Sequence, residues 1–234
     1  MSIIQKLSSI ITIATSSNSQ LQKLKPSKDD ALKLNVIKSE FPMAFDFLLK
    51  ALKQPFDLLP RYLWNFQYPE QPDKAHQTKF IKAMQCMLTN YWNNCAVDKQ
   101  RMDDHERTFW IKHIVPIFQA FGNQCGFVDF SWCEVQLHQH RLQTADPFTG
   151  ERGIIRYVDG LGKDDKQHER VVMECSSGLK LRQAHAEYDT IKQIHSLMCI
   201  HQGIITRYPN ASCKTLARVQ VYGIQLIKEK VTLS

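Results

Sequence analysis

The 234-residue sequence predicts an α/β (α+β) protein in which N-terminal helices precede a mixed sheet of about five strands, in β-β-β-α-β-β order. Three observations predict it. From Ala31 to Phe118, apolar residues recur every three or four positions. After Gly122 the period shortens to two in short segments rich in Val, Ile and aromatic residues. One helical pattern then returns, over 182–201, between the third and fourth of those segments. With 43% apolar and 23% charged residues, and only nine Gly and nine Pro, the composition excludes a wholly disordered or collagenous chain.

The elements follow in order. Residues 1–30 read as an N-terminal arm or linker: Met1–Lys28 carries four lysines and no acid, and 16–30 is polar with a proline. Residues 31–98 read as a helical region. Leu34, Ile37, Phe41, Phe45, Leu48, Leu49 and Leu52 share a helix face, which Pro42 divides in two. Between Pro60 and Pro72, Tyr62, Trp64, Phe66 and Tyr68 alternate, which suggests a short strand. These four rings form either a plug against the core, a partner surface or a base-stacking surface. Residues 73–97 predict a helix with Phe80, Ile81, Met84, Met87, Leu88 and Tyr91 on one side.

Residues 99–234 read as the α/β core. It opens with a helix whose acidic start contains Glu106 and which Pro116 kinks or ends. Strands are predicted over 127–137, 152–159 and 169–175, with a glycine- and charge-rich loop over 160–168. After the 182–201 helix, 216–222 and 224–233 predict a hairpin turning at Tyr222-Gly223. The chain stops at Val231–Ser234 inside the last predicted strand, so the core is expected to be truncated there, with an open sheet edge.

Three carboxylates stand out. Asp159 ends a predicted strand before Gly160, and it is either half of an Asp-Gly turn or a ligand. Glu174 follows Val171, Val172 and Met173, a setting in which a carboxylate needs a cation. That cation is either Arg156 or Lys180, or a metal. Glu106 is either a first-turn helix residue or a third carboxylate. If Asp159 and Glu174 are neighbours on adjacent strands, they make a hard-oxygen site suited to Mg²⁺. His185, Asp189 and Lys192, spaced four and three apart, share one helix face that is either solvated or closes over the strands.

Tyr157-Val158-Asp159-Gly160, then Met173-Glu174-Cys175-Ser176-Ser177-Gly178, then His185, Asp189 and Lys192 together resemble the restriction-endonuclease-like PD-(D/E)XK superfamily. More narrowly, they resemble a group of proteins from Mucorales-type fungi. The resemblance covers about residues 100–233. It implies Asp159 and Glu174 as metal ligands, Glu106 as an accessory carboxylate, and Mg²⁺-dependent hydrolysis of DNA or RNA. The alternative is a non-catalytic nucleic-acid-binding or protein-interaction module of the same fold. Two positions depart from the pattern: Val158 stands where the family name has proline, and Ser176 where it has lysine. Lys180, in the following turn, and Lys192, on the next helix, are the candidates to replace that lysine.

Charge and cysteine usage bound the partners. The net charge is +7, but four of the basic residues, Lys6, Lys23, Lys25 and Lys28, lie in the arm, which leaves a surplus of only three elsewhere. A nucleic-acid partner therefore draws modest support from composition. The N-terminal helical and aromatic region is the candidate surface for a protein partner. Seven cysteines at irregular spacing, with no CxxC, predict reduced thiols in an intracellular protein, nuclear or cytoplasmic. The acid-free N-terminus also resembles a mitochondrial presequence, although it lacks arginine. Cys133, His138 and His140 are close enough in sequence to suggest zinc, against ordinary thiols and surface histidines. No apolar run reaches the ~18 residues needed to span a bilayer.

Overall fold

A computed structural model describes residues 37–68, 75–96, 106–176, 183–227 and 230–233. The predicted arm (1–30), Lys180 and the Ser177-Gly178 pair lie outside the described residues, as do the side chains of Glu106, Ser176 and His185. The chain divides into a helical unit ending at Gly126 and a sheet unit from Phe127 onward, to which residues 106–107 also belong. No helix among the described residues is long and apolar enough to cross a membrane. The seven cysteines form no disulfide.

The helical unit contains α1 (Pro42–Leu52), α2 (Leu59–Trp64), α3 (Ala75–Ala96) and α5 (Val115–Cys125). Its centre is Phe47, Leu48, Leu63, Phe80, Ile81, Met84, Phe118 and Phe121. The chain is helical before Phe41 and restarts at Pro42, which takes the first turn of α1, where a missing N–H costs nothing. The 60–72 stretch departs from expectation: Tyr62 and Trp64 lie on helix α2, not on a strand. Pro60 starts that helix, Leu59 and Leu63 are buried one turn apart, and Tyr62 and Phe66, also four apart, both pack on Phe47 at ring separations of 5.8 and 4.7 Å. Trp64 is exposed.

The short helix α4 (Glu106–Phe109) runs into a π turn (Trp110–Ile114) and then α5. Pro116 explains the irregularity, since it has no N–H to donate to the carbonyl of Lys112 four residues back. Asn94 Nδ2 donates to that carbonyl instead, at 3.1 Å. Because α5 packs on α3, it belongs with the helices, and the division falls near Gly126 and not at residue 99.

The sheet unit is built on a five-stranded mixed sheet, ordered β1 (Asp129–Gln136), β2 (Tyr157–Lys163), β3 (Glu169–Ser176), β4 (Tyr222–Ile227), β5 (Lys230–Leu233). A short helix α6 (His138–Gln143) follows β1. The long helix α7 (Gln183–Arg207) and one turn of helix, α8 (Cys213–Leu216), separate β3 from β4. Strands β1 to β3 run antiparallel, β4 is parallel to β3, and β5 is antiparallel to β4. A parallel neighbour needs a long crossover, which α7 provides. The predicted Tyr222-Gly223 turn is instead the start of a buried strand, β4, which pairs antiparallel with β5.

Glycine accounts for the largest shift from expectation. Asp159-Gly160 is not a turn, and 160–163 is not a loop; β2 continues through both glycines. A Cβ at Gly160 would lie 2.9 Å from the Trp132 ring and 3.2 Å from Met173 Cβ. At Gly162 it would meet Val128 Cγ1 at 2.7 Å, with Phe130 Cε1 and Val171 Cβ at 2.9 Å. These glycines let large side chains on both neighbouring strands close over β2. Residues 152–156, read as strand, lie outside β2. On the other face, Leu137, Val158, Leu161, Val172, Ile200 and Ile204 form the core under α7. The predicted apolar positions Ile191, Ile194 and Met198 are exposed instead.

Gly162→Ala forces a methyl against three packed side chains. It should lower stability by about 1–3 kcal/mol, read as a lower urea midpoint at unchanged slope. An unchanged midpoint would mean that Val128, Phe130 and Val171 move aside at no cost.

Candidate active site

The register of β2 and β3 brings the two predicted carboxylates together. The paired register ends at Gly160 with Met173, and Asp159 and Glu174 are the next residue along each strand, close enough for the Asp159 charge to act on Glu174. Leu161 and Val172 both face the core beneath α7. Glu174, two residues beyond Val172, is on that face, where Lys192 of α7 reaches it.

Both strands are shaped locally at this point. The β1–β2 register shifts between Trp132 and Val135, so Cys133 and Glu134 together oppose Asp159. Their φ values are 67° and 57°, a bulge that re-aims side chains beside the site. Arg107 Nη2 donates to Glu134 Oε1 at 2.7 Å, and its guanidinium lies close enough to feel the Asp159 charge. On the other side, the Cys175 N–H donates to Asp159 Oδ2 at 2.8 Å. Asp159 is half-buried.

Glu174 is only 2% exposed. One of its oxygens, Oε2, accepts from Lys192 Nζ at 3.0 Å. The other, Oε1, is buried with no hydrogen-bond partner. Burial is the main cause that pushes the Glu174 carboxyl up to about 7. Lys192 pulls the value down, and the Asp159 and Asp189 charges raise it further.

Lys192 is held by its helix. The neighbouring Gln193, 2% exposed, donates from Nε2 to Val172 O at 3.3 Å and to Ile224 O at 2.9 Å. It thereby ties α7 to β3 and β4. Gly223 permits this approach, because a Cβ there would meet Gln193 Cδ at 2.9 Å. Arg156 Nη1 donates to Lys192 O at 3.0 Å, and Ser196 Oγ to the same oxygen at 2.8 Å. Two residues before Lys192, Thr190 Oγ1 donates to Gln225 Oε1 at 3.0 Å, and Gln225 is the β4 neighbour of Glu174.

Several expectations change. Glu174 pairs with Lys192, not with Arg156. Asp189 is 7% exposed and Lys192 is partly covered, so the face they share is not a solvated one. Glu106 is the first residue of α4, next to Arg107. Cys133 and His138 are exposed and do not converge with His140. Two features escaped sequence reasoning. Glu169, 5% exposed, accepts from the N–H groups of His138 and Gln139 at 2.7 and 3.0 Å and so caps α6 from across the sheet. Arg107 follows the acid singled out, and only the β1 bulge connects it to the site. No protein-family model, curated protein or solved structure matches the chain.

The Glu174 value sets a pH dependence. Its carboxyl titrates at about 7 when folded, against 4.5 as the ordinary value. The folded state therefore holds more protons between those values, and stability falls as pH rises from about 4.5 to about 7. The full loss is about 3 kcal/mol. Glu174→Gln keeps an acceptor for Lys192 but cannot ionise. In metal-free urea denaturation, wild type should lose stability relative to Glu174→Gln across that window. Parallel curves for the two proteins would contradict the assignment.

Proposed function

We propose that the site formed by β2, β3 and α7 hydrolyses phosphodiester bonds of DNA or RNA with Mg²⁺, as a restriction-endonuclease-like core. The observation that carries this reading is the 3.0 Å approach of Lys192 Nζ to a buried Glu174 carboxylate that also feels the Asp159 charge. Lys192 brings from the helix the cation that Ser176 does not offer on the strand.

The residues fit the metal. Two hard carboxylates lie on adjacent strands, and the buried Glu174 Oε1 lacks a donor. Mg²⁺ commonly takes one or two carboxylates and leaves its other positions to water and substrate oxygens. Asp159 and Glu174 would be its ligands; Glu106, whose side chain lies outside the described residues, would be the accessory carboxylate that the resemblance implies. When bound, Mg²⁺ supplies Lewis-acid polarisation of the phosphodiester and a lower pKa for an attacking water.

The chain's own groups do the remainder. The Cys175 N–H and the bulge opposite β2 fix Asp159. Lys192 holds a positive charge beside the carboxylates, where it orients the attacking water and offsets charge developing on phosphate oxygens. Arg107 is placed to pair with a flanking phosphate, for which a guanidinium fork is well shaped. Lys180 remains a second candidate for the lysine role.

The test is cleavage of plasmid DNA and of a structured RNA with Mg²⁺ or Mn²⁺. Wild type should cleave one of them. Lys192→Ala should slow cleavage by about 10²–10³-fold, as loss of a charge-stabilising donor does elsewhere. The Asp159→Asn/Glu174→Gln double variant should show no metal-dependent cleavage. Wild-type activity no greater than that of the double variant would contradict catalysis, and salt-sensitive retention on heparin alone would then mark a binding module.

A further inference from the structure

We propose that His140, His195 and Cys199 form a zinc site that fastens α6 to α7, separate from the carboxylate pair. Among the described residues, this is the set of three potential ligands brought together: one ligand atom from each lies within 4.8 Å of the others.

Local structure explains the convergence. His195 and Cys199 are four residues apart on α7 and so project from one face. His140 comes from α6, which packs on α7. The His140 ring meets the His195 ring edge-on, with centroids 5.1 Å apart at 79°.

The hydrogen bonding of His140 is the second observation. The residue is 1% exposed. Its Nδ1 lies 3.0 Å from Ile154 O. A carbonyl oxygen only accepts, so Nδ1 carries the proton and Nε2 presents a bare lone pair. That Nε2 is buried and has no hydrogen-bond partner. An edge-on ring contact satisfies packing but does not satisfy a lone pair. Metal-binding histidines regularly have this arrangement, with one nitrogen tied to a carbonyl and the other to the ion.

The ligand chemistry selects the ion. Two imidazoles and a thiolate suit zinc, whereas Mg²⁺ requires oxygen ligands. Tetrahedral zinc places its N and S ligands roughly 3.3–3.6 Å apart, given bonds of about 2.0–2.1 and 2.3 Å. The 4.8 Å limit leaves a contraction that side-chain rotation can supply. Cys199 is buried, while His195 is exposed. His195 lies one turn after Lys192, and the ion would stiffen the stretch of α7 that carries it.

The test is zinc stoichiometry and cobalt spectroscopy on the full chain, stripped with chelator and reduced. One equivalent of Zn²⁺ should bind and raise the melting temperature, and Co²⁺ should give a thiolate charge-transfer band. His195→Ala, at an exposed position, and Cys199→Ser should each weaken zinc binding at least tenfold and remove the cobalt band. His195→Gln repeats the test if the alanine variant is unstable. The Asp159→Asn/Glu174→Gln variant should keep the zinc, so the two sites fail separately. No tight equivalent in wild type, or unchanged affinity in both α7 variants, would overturn the proposal.

Discussion

A carboxylate in the central strand of the sheet, beneath its crossover helix, sets the terms for everything around it. Burying Glu174 without compensation would cost several kcal/mol. Lys192 offsets part of this from α7, and it reaches the site only because the helix lies in one position on the strands. Gln193 fixes that position through two backbone carbonyls, one on β3 and one on β4. The bare surface at Gly223 lets it come close. A core of Val158, Leu161, Val172, Ile200 and Ile204 alone would hold the helix against the sheet but not fix its register. The polar pair does that. One carboxylate oxygen remains without a donor, which leaves the site incomplete as a purely structural ion pair.

The neighbouring strand is adapted to the same point. Strand β2 brings Asp159 near Glu174, with Gly160 and Gly162 just beyond it, and β1 bulges where it passes Asp159. Ladder hydrogen bonding yields there to side-chain bonding, with the Cys175 N–H directed to the Asp159 carboxylate. Bulges, close-packed glycines and buried charge all reduce regularity, and here they concentrate within a few residues of one another. Helix α7 carries a second polar cluster at His195 and Cys199, one and two turns beyond Lys192. The same helix thus serves both groups, and whatever stiffens it around His195 acts on the lysine as well.

The legible parts of this arrangement were those written in short sequence patterns. Glu174 stood out because it interrupts an apolar run, and Lys192 because it shares a helix face with Asp189. The strand containing Asp159 was visible, but its extent was not, since a glycine signals a turn locally and only Trp132 and Phe130 on another strand, with Val128 just before it, reveal its packing role. The same limit applied to the aromatic segment at 60–68, where alternate rings imitated a strand and Leu59 with Leu63 set the helical face. Glu169 capping α6 and Arg107 reaching Glu134 span roughly thirty residues and leave no local signature. The His195–Cys199 spacing was readable, but its partner His140 lies 55 positions earlier, and Cys133 and His138 drew attention by nearness in sequence alone.

The account rests on Glu174 being a strained carboxylate that a divalent cation relieves. The most direct measurement is the titration of its side-chain carboxyl carbon by NMR, without metal and with Mg²⁺. The account predicts a midpoint near 7 without metal and a clear downward displacement with Mg²⁺, together with a smaller response to Mg²⁺ in Asp159→Asn. A Glu174 midpoint in the ordinary carboxylate range that Mg²⁺ leaves unmoved would contradict it.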